Sequence, residues 1–182
     1  MKSLPIKHRH RGKTICDLVN NLVFCVGLNT LNKTQILTAE DCVELRSKIL
    51  RPGQPIELCK YPEDTLTTTI HLGIYEGSQL ICTGTLLQKN CSLFPEITTA
   101  YQLRGMATDH DFQGQGLGRE LLEKAEVVLK TKNCPLFWFN ARVSAFGFYQ
   151  KCGFELKGDF FDIPRVGPHK IMFKRLSEPS GN

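Results

Sequence analysis

Six residues, Gln113-Gly114-Gln115-Gly116-Leu117-Gly118, constrain the fold more than any other part of this chain. Before them, Leu103-Arg104-Gly105-Met106-Ala107-Thr108 reads as a short strand. After them, Leu117, Leu121, Leu122, Ala125, Val128 and Leu129 recur on one face of a helix, and Arg119, Glu120, Glu123, Lys124, Glu126 and Lys130 fill the other. Strand, glycine loop and helix in that order make an anion site. The glycines let the backbone turn tightly and approach a ligand, and the helix start directs unpaired N–H groups and positive dipole at it.

The phosphate ligand is narrowed by spacing. A Walker loop ends in Gly-Lys-Ser/Thr, and no Lys-Ser/Thr closes this one. The dinucleotide fingerprint Gly-x-Gly-x-x-Gly fails as well, because the glycines stand at 114, 116 and 118. Gln113, Gly116 and Gly118 instead satisfy Gln/Arg-x-x-Gly-x-Gly/Ala. The plain alternative for the hexapeptide alone is a connector turn.

A chain of 182 residues is enough for one domain with a real core and short for two. Much of its net charge of +5 sits in Lys2, Lys7, Arg9, Arg11 and Lys13. The remainder gives no argument for a nucleic-acid partner and suits an anionic ligand. The cysteines at 16, 25, 42, 59, 82, 91, 134 and 152 form no Cys-x-x-Cys or zinc pair, and several lie in apolar runs. They read as reduced thiols in a cytoplasmic protein without a bound metal.

Residues 1–34 differ from the rest: a basic opening, then a mostly apolar run from Ile15 to Leu31 broken by Asp17, Asn20, Asn21 and Asn29. An appended extension is the expectation, with a targeting or membrane-surface segment as the alternative. The run is too short and too polar to span a bilayer. From Thr38, which can cap a helix through Asp41, the pattern becomes domain-like. The helix stops at Arg51-Pro52-Gly53-Gln54-Pro55. His71–Tyr75 and Leu80–Leu87 read as a hairpin around Glu76-Gly77-Ser78, and Leu136–Phe139 as a buried strand. Ser144 is expected to cap a short helix, Ala145 to Cys152. Phe154–Lys157 and Lys170–Lys174 pair around a loop at 162–168. The order predicts an α/β sandwich with a mixed, mostly antiparallel central sheet flanked by helices over residues 35–176, and a tail at 177–182.

The segment Ala145-Phe146-Gly147-Phe148-Tyr149-Gln150-Lys151-Cys152-Gly153-Phe154 fits a second pattern, Ala-x-x-x-Tyr-x-x-x-Gly-Phe. The two patterns, in this order with a strand between, resemble motifs A and B of the GCN5-related N-acetyltransferase (GNAT) superfamily. Arg46, Pro52-Gly53-Gln54, Gly167-Pro168-His169 and Tyr101–Thr108 further resemble its ElaA-like branch. The resemblance implies acetyl-CoA as acyl donor. Backbone groups of Met106, Ala107 and Thr108 would lie along its pantetheine arm as an added strand edge does. The N–H groups of Gln113, Gly114, Gln115, Gly116, Leu117 and Gly118, with Arg119, would hold its pyrophosphate. Where the family usually has a cofactor-contacting Asn this chain has Arg142, so Asn140 is expected to supply that contact.

Acyl transfer from a thioester to an amine needs a polarised carbonyl, a deprotonated amine and a proton for the departing thiolate. Tyr149 matches the family's motif-B tyrosine and is the candidate acid; its alternative role is aromatic packing. His71, Glu76 and His169 are candidate bases, each with a surface or satisfied polar role as the alternative. His169 is preferred, since a neutral imidazole suits proton removal near neutrality. The expected activity is acetyl transfer to a primary amine of a small molecule or peptide, by a monomer or homodimer. The competing class is an inactive acyl-CoA-binding regulatory module.

Overall fold

The computed structural model describes residues 34–164 and 166–176. The expectations for the N-terminal extension up to Lys33 and for the tail at 177–182 lie outside the described residues. The chain runs β1 (Thr34–Leu37), α1 (Ala39–Leu50), two short 3-10 turns (Ile56–Cys59 and Pro62–Thr65), β2 (Ile70–Glu76), β3 (Gln79–Gln88) and β4 (Ala100–Thr108). It continues through α2 (Leu117–Thr131), β5 (Leu136–Arg142), α3 (Phe146–Lys151), β6 (Glu155–Ile163) and β7 (Gly167–Arg175). The strands form one seven-stranded sheet in the order β1-β2-β3-β4-β5-β7-β6. Every neighbouring pair is antiparallel except β4 and β5. The mixed, mostly antiparallel sheet expected from the sequence is the one observed.

β3 shows how the two helices share the sheet. Side chains alternate between faces along a strand. Thr83 and Thr85 point to α1, where Thr83 donates to Cys42 Sγ and Thr85 accepts from Arg46. Gly84 points the other way, and a Cβ there would stand 2.9 Å from Leu121 of α2. On that face Leu117, Leu121, Leu122, Ala125, Val128 and Leu129 pack against Leu72, Ile74, Leu86 and Phe137. The periodic apolar stripe of α2 therefore marks the main core. Cys91, Phe94, Ile97, Leu136 and Trp138 make a second cluster, closed by the Trp138 indole N–H donating to Lys89 O at 2.8 Å.

Thr38 caps α1 as expected: Asp41 N donates to its Oγ1 at 3.4 Å, and Thr38 N donates to Asp41 Oδ2 at 2.8 Å. The Thr38 backbone N–H and hydroxyl, both donating to Asp41 Oδ2, hold that carboxyl below its ordinary range. Three expectations are corrected. Ser144 caps nothing; Val143–Ala145 is a 3-10 turn and α3 begins at Phe146 without a side-chain cap. The loop expected at 162–168 is mostly strand, because β6 runs to Ile163 and β7 starts at Gly167. Thr34, assigned to the extension, is buried in β1, which pairs with β2 from Thr34↔Ile74 to Leu37↔His71. Four residues lack the length for an alternation signal, so β1 was not legible.

The strand sets where the domain can begin. A chain starting at Lys33 keeps β1 and should melt at the same temperature as the full chain. Starting at Thr38 removes β1, strips the edge of β2 and takes Leu37 from over Gly73, so its melting temperature should fall. Thermal denaturation of the two shortened chains checks both outcomes.

Candidate active site

β4 and β5 pair in parallel only from Ala100–Gln102 to Leu136–Trp138. Beyond that they diverge, while β3 continues along β4 to Thr108 and β7 along β5 to Arg142. The edge that β4 turns toward β5 therefore has no strand partner past Gln102. The gap opens as a cleft of about 590 Å³ lined by Leu103–Met106 on one wall and Phe139–Arg142 on the other.

A bulge shapes the first wall. The register slips by one residue between Thr83↔Ala107 and Thr85↔Arg104, so Gly105 and Met106 together face Gly84. Gly105 is left-handed, φ +58°, a conformation that glycine adopts without penalty. A Cβ on it would sit 2.7 Å from Arg46 Nε. The extra residue reverses the alternation, so that Met106 reaches α2, its Cε lying 3.1 Å from a Cβ placed on Gly118.

Under this wall lies a polar ring. Arg46, fully buried, binds Asp64 with both terminal nitrogens, at 2.6 and 3.2 Å, and donates to Cys59 O at 3.1 Å and to Thr85 Oγ1. Thr85 in turn meets His71 Nδ1 at 2.9 Å, and His71 Nε2–H donates to Asp64 O at 3.0 Å. Both nitrogens of His71 are thus committed, which removes it as a base. Glu76 lies exposed at the end of β2, away from the cleft lining.

The glycine loop stands at the end of β4. Gly114 (φ +78°) and Gly116 (φ +85°) need the left-handed region, and no protein atom lies within 4 Å of a Cβ at either. Their bareness leaves open surface. Gly116 is also the N-cap of α2 and offers no side-chain acceptor, so the first-turn N–H groups have no cap. Gly118 serves differently: its Cβ would press on Met106 and Phe148. The Gln113 amide donates to Thr108 O at 3.1 Å and that of Gln115 to Asp111 O at 3.3 Å, bracing the loop from within. Arg119 donates to Lys151 O at 3.4 Å. Asp109, buried before the loop, accepts from Lys48 at 2.7 Å and Gln79 at 3.1 Å. The lysine hydrogen bond lowers its pKa despite burial.

Tyr149 enters the cleft from α3. Its ring packs on Phe139, centroids 4.3 Å apart, and on Phe148 at 4.9 Å. Its hydroxyl donates to Met106 Sδ at 3.5 Å, a weak acceptor. Burial raises the phenol above its ordinary pKa, so the proton is present at any working pH. His169, on β7, is buried at 4% exposure and lines the same cleft. Its Nδ1 lies 2.7 Å from Gly167 O, which can only accept, so Nδ1 carries a hydrogen, and in the neutral ring the lone pair falls on Nε2. Burial sets aside a surface role for His169, while the bond to Gly167 O is what a satisfied polar role would show.

Met106, Gln113, Asn140, Tyr149 and His169 therefore meet at one cleft. Ala107 is buried beside it, and Thr108 Oγ1 lies 3.3 Å from Cys82 Sγ. Gly114 through Arg119 wrap the loop beyond the lining. Sequence reasoning missed Arg51, Tyr61, Gln102, Arg104 and Gly105; only Gly105, a glycine inside a strand pattern, carried a signal, that of a bulge.

Residues 70–156 match the family model described as "Acetyltransferase (GNAT) domain". The Bacillus subtilis (strain 168) protein named "Uncharacterized N-acetyltransferase YitI" is 38% identical over 144 residues, which cover 79% of this chain and 96% of that protein. The chain belongs to the GNAT superfamily. Solved structures agree in fold with this chain. Escherichia coli ElaA superposes with a TM-score of 0.63 at 16% identity, over 79% of this chain and 99% of that one. An acyl-CoA N-acyltransferase from Pseudomonas aeruginosa gives 0.60 at 19%, over 78% and 97%. The family match spans the glycine loop and Tyr149 and stops before His169.

Proposed function

We propose that this acetyltransferase moves an acetyl group from acetyl-CoA to a primary amine of a small molecule or peptide, in the cytoplasm. The observation that carries the reading is the divergence of β4 from β5, which leaves a free strand edge ending at an uncapped, glycine-lined helix N-terminus. Such an edge suits the amide-bearing pantetheine arm, and such a helix start suits pyrophosphate. Met106, Ala107 and Thr108 are the strand positions for the arm. Gln113 through Gly118 supply loop N–H groups, with Arg119 beside them, and Asn140 offers a polar side chain from the facing wall. The donor supplies an activated thioester carbonyl; the rest is done by this chain. His169 Nε2 takes a proton from the amine, directly or through water, and the Tyr149 hydroxyl gives its proton to the leaving sulfur. Nothing in the site favours the inactive module, since the glycines and Tyr149 are all in place. Six free cysteines among the described residues accord with a reducing compartment.

The test is binding and transfer together. A ligand at about 100 times its Kd adds about 2.7 kcal/mol, or roughly 5–10 °C in melting temperature at this size. Gly116→Val forces a β-branched residue into the left-handed region, at a cost of about 1–2 kcal/mol, and fills the space left for the pyrophosphate. The unliganded variant should stay folded and lose the acetyl-CoA shift. A full shift in the variant would move the donor elsewhere. Thiol release over an amine panel by the parent protein reads the transfer itself.

A further inference from the structure

The charge of the cleft is one-sided. Arg51, Arg104 and Arg142 line it, and no Asp or Glu does among the described residues. The guanidinium of Arg104 stacks on the Tyr61 ring at 4.3 Å and is held to Glu63 at 3.0 Å. Tyr61 is itself fixed from beneath by Arg46, 4.7 Å from the ring centroid. Arg104 is therefore presented in a set orientation, with donors remaining beyond its single bond to Glu63. Arg51, at the C-terminal end of α1, has no carboxylate partner among the described residues.

The donor's pyrophosphate does not account for this charge. Arg104 precedes Thr108 by four positions, about 13 Å along a strand, and the glycine loop lies beyond Thr108. Arg104, midway along β4, thus stands well short of the phosphate loop. A cationic wall repels a protonated amine and favours its neutral, nucleophilic form. It also penalises any acceptor that brings only positive charge, unless that acceptor carries a negative group to meet the guanidiniums.

We propose that the acceptor is an amine bearing an anionic group, a carboxylate or a phosphate, which docks against Arg51 and Arg104 while the amine points toward His169 and Tyr149. The inference rests on the acetyltransferase reading and names the substrate class of that cleft.

Matched probes test it: β-alanine against β-alaninamide, and phosphoethanolamine against ethanolamine, each with acetyl-CoA. The anionic member should show the higher kcat/KM, and the pair with the larger ratio tells carboxylate from phosphate. In Arg51→Gln and Arg104→Gln the KM for the anionic amine should rise about 10- to 100-fold, the scale of a charged hydrogen bond. The KM values for the neutral amine and for acetyl-CoA should hold. Equal kcat/KM within both pairs would overturn the proposal while leaving the acetyltransferase reading intact, as would a rise confined to the acetyl-CoA KM. Transfer to none of the four amines would count against that reading, and a binding arm still decides the subsite. In the presence of CoA, N-acetyl-β-alanine or N-acetylphosphoethanolamine should raise the melting temperature more than its neutral counterpart, and equal shifts in both pairs would reject the anionic docking site.

Discussion

Tyr149→Phe should lower kcat by about 10²–10⁴-fold, the usual worth of a positioned general acid, with acetyl-CoA affinity little changed. The ring and the hydroxyl have separate partners. The ring packs on Phe139, Phe148 and Phe154, all contacts that phenylalanine keeps. Among the described residues the hydroxyl meets only the thioether of Met106, whose loss costs little because sulfur is a weak acceptor. Removing the oxygen should therefore leave stability nearly untouched. Burial raises the phenol pKa above its ordinary value, so the proton-bearing form persists through neutral and moderately alkaline pH. A rising limb of activity near neutrality must then belong to a group other than Tyr149 and should survive in the variant. If chemistry limits the rate, kcat and kcat/KM fall together. A variant within threefold of the parent on both would reduce Tyr149 to a packing residue.

What the sequence made legible was local and periodic. α2 announces itself through an apolar stripe at helical spacing, and the loop before it through glycines that two left-handed positions require. Tyr149 was readable because its neighbours at fixed offsets form a pattern. The cleft itself was not readable, since it arises where β4 stops pairing with β5, and no residue type encodes the end of a ladder. β6 and β7 are longer than their apolar runs suggest because Gly158 to Asp162 lies at a sheet edge, where burial does not enforce alternation. The arginines of the acceptor wall come from α1, the loop after it and β4, and only the fold brings Arg51, Tyr61 and Arg104 together. His169 could be proposed as a base from its chemistry, but its tautomer is set by the Gly167 carbonyl, a contact of the β7 start.

Arg46→Met should destabilise the protein by about 3–5 kcal/mol, the usual result of leaving one partner of a buried ion pair without the other. Arg46 is fully buried, and its guanidinium supplies the two bonds that neutralise Asp64. Asp64 would keep the Tyr61 N–H at 3.1 Å, which offsets only part of the charge. Cys59 O and Thr85 Oγ1 would each lose a donor as well. Against a total stability of about 5–15 kcal/mol for a domain, that loss brings the variant near unfolding. The pair need not be stabilising in itself, because desolvation offsets much of its attraction. Arg46→Met combined with Asp64→Leu should therefore recover a large part of the loss, and a double-mutant cycle in urea would show a strong coupling. Function should not recover alongside. Tyr61 would lose the cation beneath its ring, and Gly105 the guanidinium that its bulge is built to clear. The acceptor wall would loosen, and KM for the amine should rise even in the restabilised double variant. A single variant less than about 1 kcal/mol below the parent would place Asp64 in contact with water rather than in the core, since exposed ion pairs are worth no more than that.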